Sequence, residues 1–296
     1  MAAGEQIAML PCSRPPSRSG YKKASAHRVS STIEEGSGNG RGDMAGRLFI
    51  GTSGFGYPDW QGRFYPEGLP RSQWLAYYAR VFNSLELNVT FYRTPKPAVF
   101  EGWARAVPAD FAFVVKGPRF MTHIRKLEVD LDICERFSAA VRHLEERLSC
   151  ALWQLPPSLR ADAHLLEAFL ETLRNDSVLA RCRHAIEFRH RSWFDDDIYA
   201  ILARANVAAV AADSGGRFPF VDVRTADFAY FRFHGPAGLY TSSYSGDELA
   251  RFAESMRAHW ENGDVYAFFN NDARAYAIEN ALTLKGLLKD NDLPSP

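Results

Sequence analysis

The stretch "HAIEFRHRSWF", residues 184–194, decides how this chain is read. It begins as a buried strand should, compact and apolar around Ile186. It then presents Glu187, Arg189, His190 and Arg191 within five positions. A charge left unpaired in an apolar interior costs several kcal/mol. A strand that runs into charge is therefore leaving the core for a surface or a site.

Seven other runs have the same form: "RLFIGTS" (47–53), "SLELN" (84–88), "FAFVVKG" (111–117), "CALWQLP" (150–156), "VAAVAAD" (207–213), "FAYFRFHG" (228–235) and "VYAFFNND" (265–272). Stretches with helical spacing separate most of them: 73–82, 98–107, 130–148, 164–173, 195–205, 245–263 and, after the last, 275–288. Ser245 followed by Glu248 is a capping-box signature. The segment after the sixth run, "SGGRFPFVDVRTAD" (214–227), is short and has no helical period.

Strand alternating with helix implies parallel pairing through right-handed crossovers. Eight such units over roughly 245 residues match a closed (β/α)8 TIM barrel, here with one irregular crossover after strand six. An open doubly wound sheet fits less well. Its phosphate turn should lead into a helix, whereas "GTSGFGYPDW" (51–60) runs G-x-x-G-x-G into Pro58 and aromatic residues. The barrel is expected over 47–290, with a short tail at 291–296. Residues 1–46, rich in Ser, Gly, Pro and Arg, are expected to be disordered. That tail reads as a dispensable extension or upstream start, with Met44 as the alternative start. A targeting segment and a basic interaction tail are the other readings.

Composition narrows the function. The 296 residues carry 35 Lys plus Arg and 35 Asp plus Glu, so no overall field draws in nucleic acid or anionic lipid. No apolar run approaches the roughly 20 residues of a membrane helix. Cys12, Cys134, Cys150 and Cys182 are far apart and form no C-x-x-C. That argues against a thiolate zinc site or disulfide scaffold and fits a reducing cytoplasm.

Alternation along each strand sorts residues between the barrel interior and the helix layer. Glu86 and Asn88 share one face; Lys116 shares one with Ala112 and Val114. Gln154 alternates with Trp153 and Leu155, and Glu187 and Arg189 oppose Ile186 and Phe188. Arg232 and His234 alternate with Phe231 and Phe233. Asp213 ends strand six, and Asn270 and Asn271 end strand eight. The polar residues gather at the C-terminal strand ends, while the N-terminal ends read as small and apolar. Barrel active sites lie at the C-terminal mouth. Glu86, Glu187 and Asp213 against Lys116, Arg189 and Arg232 also allow a self-neutralising ion plug, although burying one is costly.

These motifs, in order, resemble the YecE-like family, domain of unknown function 72: "GTSGFGYPDWQGRFYP" (51–66), "LELNVTFYRTP" (85–95), "FVVKGPRFMTH" (113–123), "QLPPS" (154–158), "EFRHRSW" (187–193), "YFRFHG" (230–235), "YTSSYS" (240–245) and "FFNNDARAYAIENA" (268–281). The resemblance spans 48–288 and implies a TIM barrel without bringing an established activity. One departure is that Ala273-Arg274 stand where the family usually has a glycine.

The residues favour a clamp for a small anionic, phosphorylated or acidic, sugar- or nucleotide-like ligand, with general acid/base chemistry at the mouth. Glu187, His234, Glu86, Lys116 and Asp213 are the catalytic candidates. Asn88, Tyr92, His123, Gln154, Arg189, Trp193, Arg232, Asn270 and Asn271 are the binding candidates. Lys116 could form a Schiff base if its pKa fell, but the neighbouring carboxylates are expected to raise it and keep a point charge. Glycosidase carboxylates would be expected on strands four and seven, which offer Gln154 and Arg232 instead. No cofactor is expected. The alternatives are a divalent-metal site from Glu86, His123, Glu187, Asp213 and His234, serving a phosphodiesterase, endonuclease or isomerase, and a non-catalytic ligand-binding barrel. Nucleic acid is a less favoured partner, and no membrane partner is expected.

Overall fold

A computed structural model describes residues 46–289; the expectations for residues 1–45 and 290–296 lie outside the described residues. The strands are β1 (Leu48–Thr52), β2 (Ser84–Leu87), β3 (Ala112–Lys116), β4 (Leu148–Gln154), β5 (Arg183–Glu187), β6 (Val207–Ala209), β7 (Ala211–Asp213), β8 (Phe228–Phe233) and β9 (Asp264–Phe269). Segments β6 and β7 are halves of the sixth barrel strand, interrupted at Val210. All pairings are parallel, in two ladders ordered β2-β3-β4-β5-β6 and β1-β9-β8-β7.

Two seams join the ladders into a barrel. At one, the sixth strand passes from β5 to β8, and Val210 N donates to Ile186 O at 2.9 Å. At the other, side chains stand in for ladder bonds between β1 and β2. Thr52 N donates to the Tyr78 hydroxyl at 2.9 Å, which donates to Ser84 O at 3.1 Å. Asn83 accepts from Ile50 N at 3.3 Å and donates to Leu48 O at 2.7 Å. A Cβ on Gly51 would meet Ser84 O at 2.2 Å, so this close approach requires glycine.

The helices are α1 (Trp74–Tyr78), α2 (Val89–Tyr92), α3 (Pro97–Ala106), α4 (Leu131–Val141), α5 (Ala163–Asn175), α6 (Asp196–Arg204), α7 (Gly246–Trp260) and α8 (Tyr276–Lys289). Asp130, Asp162 and Asp195 cap α4, α5 and α6 by accepting backbone N–H bonds, and Ser245 with Glu248 forms the expected capping box on α7. Residues 214–227 contain no helix, as the sequence indicated. Among the described residues, no helix is long and apolar enough to cross a membrane.

Apolar side chains form two separate clusters. Phe49, Val114, Leu152, Tyr230, Tyr266 and Phe268 belong to the set that fills the barrel. Leu85, Val115, Trp153, Ile186, Phe231 and Phe269 belong to the set between strands and helices. The period-two sorting read from the sequence is this division.

Three details differ from expectation. The helical turn α2 was not foreseen; its β-branched and aromatic "VTFY" has weak helix propensity, and Thr90 holds it by donating to Leu87 O at 2.7 Å. The N-terminal strand ends are not uniformly small and apolar, because Arg183 and Asp264 pair there at 2.5 Å. At the missing family glycine, Arg274 and Ala275 take φ of +54° and +64°, the left-handed region where glycine carries no steric penalty.

Candidate active site at the barrel mouth

Arg232 is the centre of the mouth. Its Nε and Nη2 donate to the two oxygens of Glu86, at 3.0 and 2.6 Å, and its Nη1 donates to Glu187 Oε2. Glu86 also accepts from Ser53 Oγ at 2.6 Å and from the Tyr230 hydroxyl at 2.7 Å. Arg189 Nε donates to Glu187 Oε1 at 2.7 Å. Arg232, Glu86 and Glu187 are fully buried. Burial alone would raise both carboxyls. Arg232, helped by Ser53, instead holds Glu86 below its ordinary value, and Arg189, Arg232 and His234 hold Glu187 well below.

His234 lies one layer above. Its Nδ1 lies 3.3 Å from Asn270 Nδ2, and its Nε2 lies 3.5 Å from both Glu187 Oε1 and Arg232 Nη1. Burial pushes its pKa down to about 4, against the pull of Glu187, so it is neutral at pH 7. Asn88 Nδ2 bridges Ser53 O at 3.3 Å and Asn270 Oδ1 at 3.5 Å, while its own Oδ1 is buried without a donor among the described residues.

Lys116 ends β3 and is fixed by three local devices. Thr90 of α2 accepts from its N–H at 3.1 Å, and the single Thr90 O–H is shared between the Lys116 and Leu87 carbonyls, each 2.7 Å from Oγ1. A Cβ on Gly117 would strike the Trp153 ring at 2.2 Å, so only glycine lets the chain turn away there. The ammonium donates to Gln154 Oε1 at 2.7 Å and lies 4.4 Å from the centre of the Phe91 ring. Among the described residues no carboxylate forms a salt bridge with it. Burial, then the charge of Arg232, pushes its pKa down to about 7, and the opposing pull of Glu187 and Glu86 does not recover it. The lysine pKa is thus lowered where the sequence suggested it would be raised, because burial outweighs the pull of the two carboxylates.

The remaining candidates divide. His123 packs edge-on against Phe91 with ring centres 5.0 Å apart, and burial followed by Lys116 lowers its pKa to about 4. Tyr92 projects into solvent, 78% exposed. Asp213 has the opposite parity from the interior residue Ala212; its carboxylate accepts from the Tyr244 hydroxyl at 2.6 Å, outside the Arg232 network. Asn271 likewise turns to the helix layer, donating to Asn280 Oδ1 at 2.8 Å and Ser242 O at 2.9 Å. Trp193 is no wall of the mouth: it is fully buried, stacked on Phe188 at 4.9 Å, with its indole N–H on Leu159 O at 2.8 Å. The five side chains considered for a metal do not converge, since Arg232 stands between Glu86 and Glu187 and Asp213 faces away. Among the described residues, no group of three or more His, Cys, Asp or Glu side chains is arranged to hold a metal ion.

Five participants carry no clear sequence signal or lie outside the candidate set. Ser53 and Tyr230 lie two positions from interior residues, Gly51 and Arg232, so parity alone could have found them. Phe91 under Lys116 and Phe218, 4.5 Å from the Arg189 guanidinium, left no such signal. Asp272 is a half-buried carboxyl whose pKa desolvation raises to about 8, which makes it largely neutral at pH 7.

With Asp213 turned toward Tyr244 and Asp272 largely neutral at pH 7, the mouth sets Glu86 and Glu187 against Arg189, Arg232 and, below about pH 7, Lys116. Arg189 Nη2 is buried with no acceptor among the described residues. Lys116, Gln154 and Asn270 retain 7%, 5% and 8% exposure above the fully buried network, so they form the reachable floor.

Comparison with known proteins gives a consistent set of matches. Residues 49–296 match the family described as "Protein of unknown function DUF72". The UPF0759 protein YunF of Bacillus subtilis is 26% identical over 280 residues, covering 81% of this chain and 94% of YunF. The UPF0759 protein YecE of Escherichia coli is 32% identical over 117 residues, covering 40% of this chain and 42% of YecE. The crystal structure of a DUF72 family protein from Thermotoga maritima, 35% identical, aligns with a TM-score of 0.72 over 82% of this chain and 99% of that one.

Proposed function

The chain belongs to the DUF72 family, a premise that supplies a barrel and no reaction, and we propose that its mouth binds a small anionic, polyhydroxylated molecule. The observation that carries this reading is the terminal nitrogen of Arg189, buried and without an acceptor among the described residues. Leaving such a charged donor unsatisfied costs free energy that a bound phosphate or carboxylate recovers. With Lys116 protonated, three cations face two carboxylates, which gives the same sign. Asn88 and Asn270 add amides suited to hydroxyl groups.

Lys116 is the group fitted to move a proton at this site. Its pKa of about 7 lies near neutral pH, and it retains some access to solvent. Glu86, which the sequence suggested as a second acid or base, has its oxygens engaged by Arg232, Ser53 and Tyr230 and acts by holding Arg232 in place.

The test uses sulfate, which keeps its charge across the pH range of interest. Sulfate should raise the melting temperature saturably, and Arg189→Ala should weaken its binding about tenfold or more, the value of one charge-assisted contact. Without sulfate the variant should stay folded, since Glu187 keeps Arg232. Sulfate affinity should also fall as pH rises through about 7, where Lys116 loses its proton, and flatten in Lys116→Gln. Unchanged sulfate affinity in Arg189→Ala overturns the reading.

A further inference from the structure

We propose that Lys116 forms a Schiff base and that the ligand of the mouth is therefore an anionic aldehyde or ketone; this rests on the anion-binding reading above and narrows it to a substrate class. Of the three mouth cations, Arg232 and Arg189 each pair with a carboxylate, whereas Lys116 is bonded through a neutral amide. An ammonium clamped by a carboxylate is a poor nucleophile because the carboxylate stabilises its protonated form. Here the only hydrogen-bond partner of Nζ among the described residues is Gln154 Oε1, and the flat face of Phe91 covers one side. Gln154 accepts one N–H bond and orients the amine without deprotonating it.

The surroundings fit the reaction. Neutral Nζ attacks the carbonyl carbon, a C–N bond forms, and the carbonyl π pair moves to oxygen, which takes up a proton. The carbinolamine then loses its oxygen as water, leaving a C=N bond that takes a proton as an iminium ion. No oxidant or reductant is consumed. Arg189 supplies the anchor for the phosphate or carboxylate of the same molecule. Glu187 and Glu86 lie close enough for their charges to act on Lys116, and would act on the iminium in the same favourable sense. The backbone is also rigid: Thr90 on one side and the Gly117–Trp153 contact on the other hold the residue at the strand end.

The experiment is reductive trapping on the full chain. Glyoxylate, an anionic aldehyde, and propionaldehyde, a neutral one, are each offered with cyanoborohydride, and modified lysines are located by peptide mass spectrometry. The expected result is a carboxymethyl group on Lys116, formed several-fold faster than on the exposed lysines Lys96 and Lys126. Sulfate should slow that adduct, and propionaldehyde should label Lys116 more slowly than glyoxylate. Lys116→Arg, which keeps a cation in the cluster, should fold, bind sulfate and lose the adduct. Glyoxylate label on other lysines only, in a protein that sulfate still stabilises, overturns the Schiff base and leaves anion binding standing. Equal labelling of Lys116 by both aldehydes with no effect of sulfate supports the amine and overturns the anion anchor.

Discussion

At the N-terminal end of the barrel, Arg183 pairs with Asp264 at 2.5 Å while 31% and 19% of the two side chains remain exposed. At the C-terminal mouth, Arg232 pairs with Glu86 and Glu187, and none of the three keeps more than 1%. Both ends pair an arginine with carboxylates at similar distances, yet the energetics differ. Water still solvates the lower pair and can take over from either partner. In the upper network each charge depends on the others, because no solvent reaches the centre. The lower end also carries an open cleft of about 600 Å³ lined by Arg47, Arg142, Arg183 and Asp264. Desolvated charge with an unpaired donor marks the mouth; solvated charge around a cleft marks the base.

The sharpest way to break this contrast is to remove the central cation. Arg232→Met leaves Glu86 and Glu187 buried without their shared partner, and urea unfolding should show a loss of about 3–5 kcal/mol. Both carboxyls have folded pKa values held below 4.5. The stabilisation they contribute is fully present above that value and is lost as pH falls through the folded values. The gap between wild type and variant should accordingly narrow in acid. A loss within about 1 kcal/mol at neutral pH would mean the mouth behaves like an exposed pair. Next in size, Tyr230→Phe keeps the ring stacked on Tyr266 but deletes the hydroxyl donating to Glu86. It should cost about 1.5–3 kcal/mol, the range for a hydrogen bond to a charged group, measured by the same unfolding curves.

The contrast also explains what was legible in the sequence. Strand positions and the two faces of each strand follow from local period-two patterning, so Glu86, Lys116, Glu187 and Arg232 could be assigned to one interior from residue order alone. The direction of a side chain past the strand end is set by loop backbone, which has no period. Trp193 and Asn271 turn away from the mouth for that reason, and Asp213 does so because it alternates with the interior residue Ala212. Charge balance was harder still. Counting Asp213 gave three against three and a neutral plug, whereas its turn toward Tyr244 leaves an excess of cations. The lysine pKa is lowered where its carboxylate neighbours alone would raise it, because burial, which no local pattern specifies, outweighs their pull. Asn83 and Tyr78, which replace ladder bonds at the β1–β2 seam, carry no pattern either, because their partners are backbone atoms of another strand.

The smallest predicted effect is at the other end of the barrel, where it is the most discriminating. Arg183 lies 5.0 Å from the Phe228 ring centre and 5.9 Å from that of Tyr266, so much of its packing is made by its stem and the flat guanidinium. Arg183→Met keeps an unbranched apolar chain over those rings and removes the pair with Asp264. Asp264 would not be stranded, since it keeps access to water and accepts from Arg47 N at 2.6 Å. The expected change is within about 1 kcal/mol, with a dependence on salt that disappears in the variant. If Arg183→Met instead costs as much as Arg232→Met, solvent exposure does not separate the two ends. The cation at the base would then be as structural as the one at the mouth, and desolvated charge would not mark the mouth as a binding site.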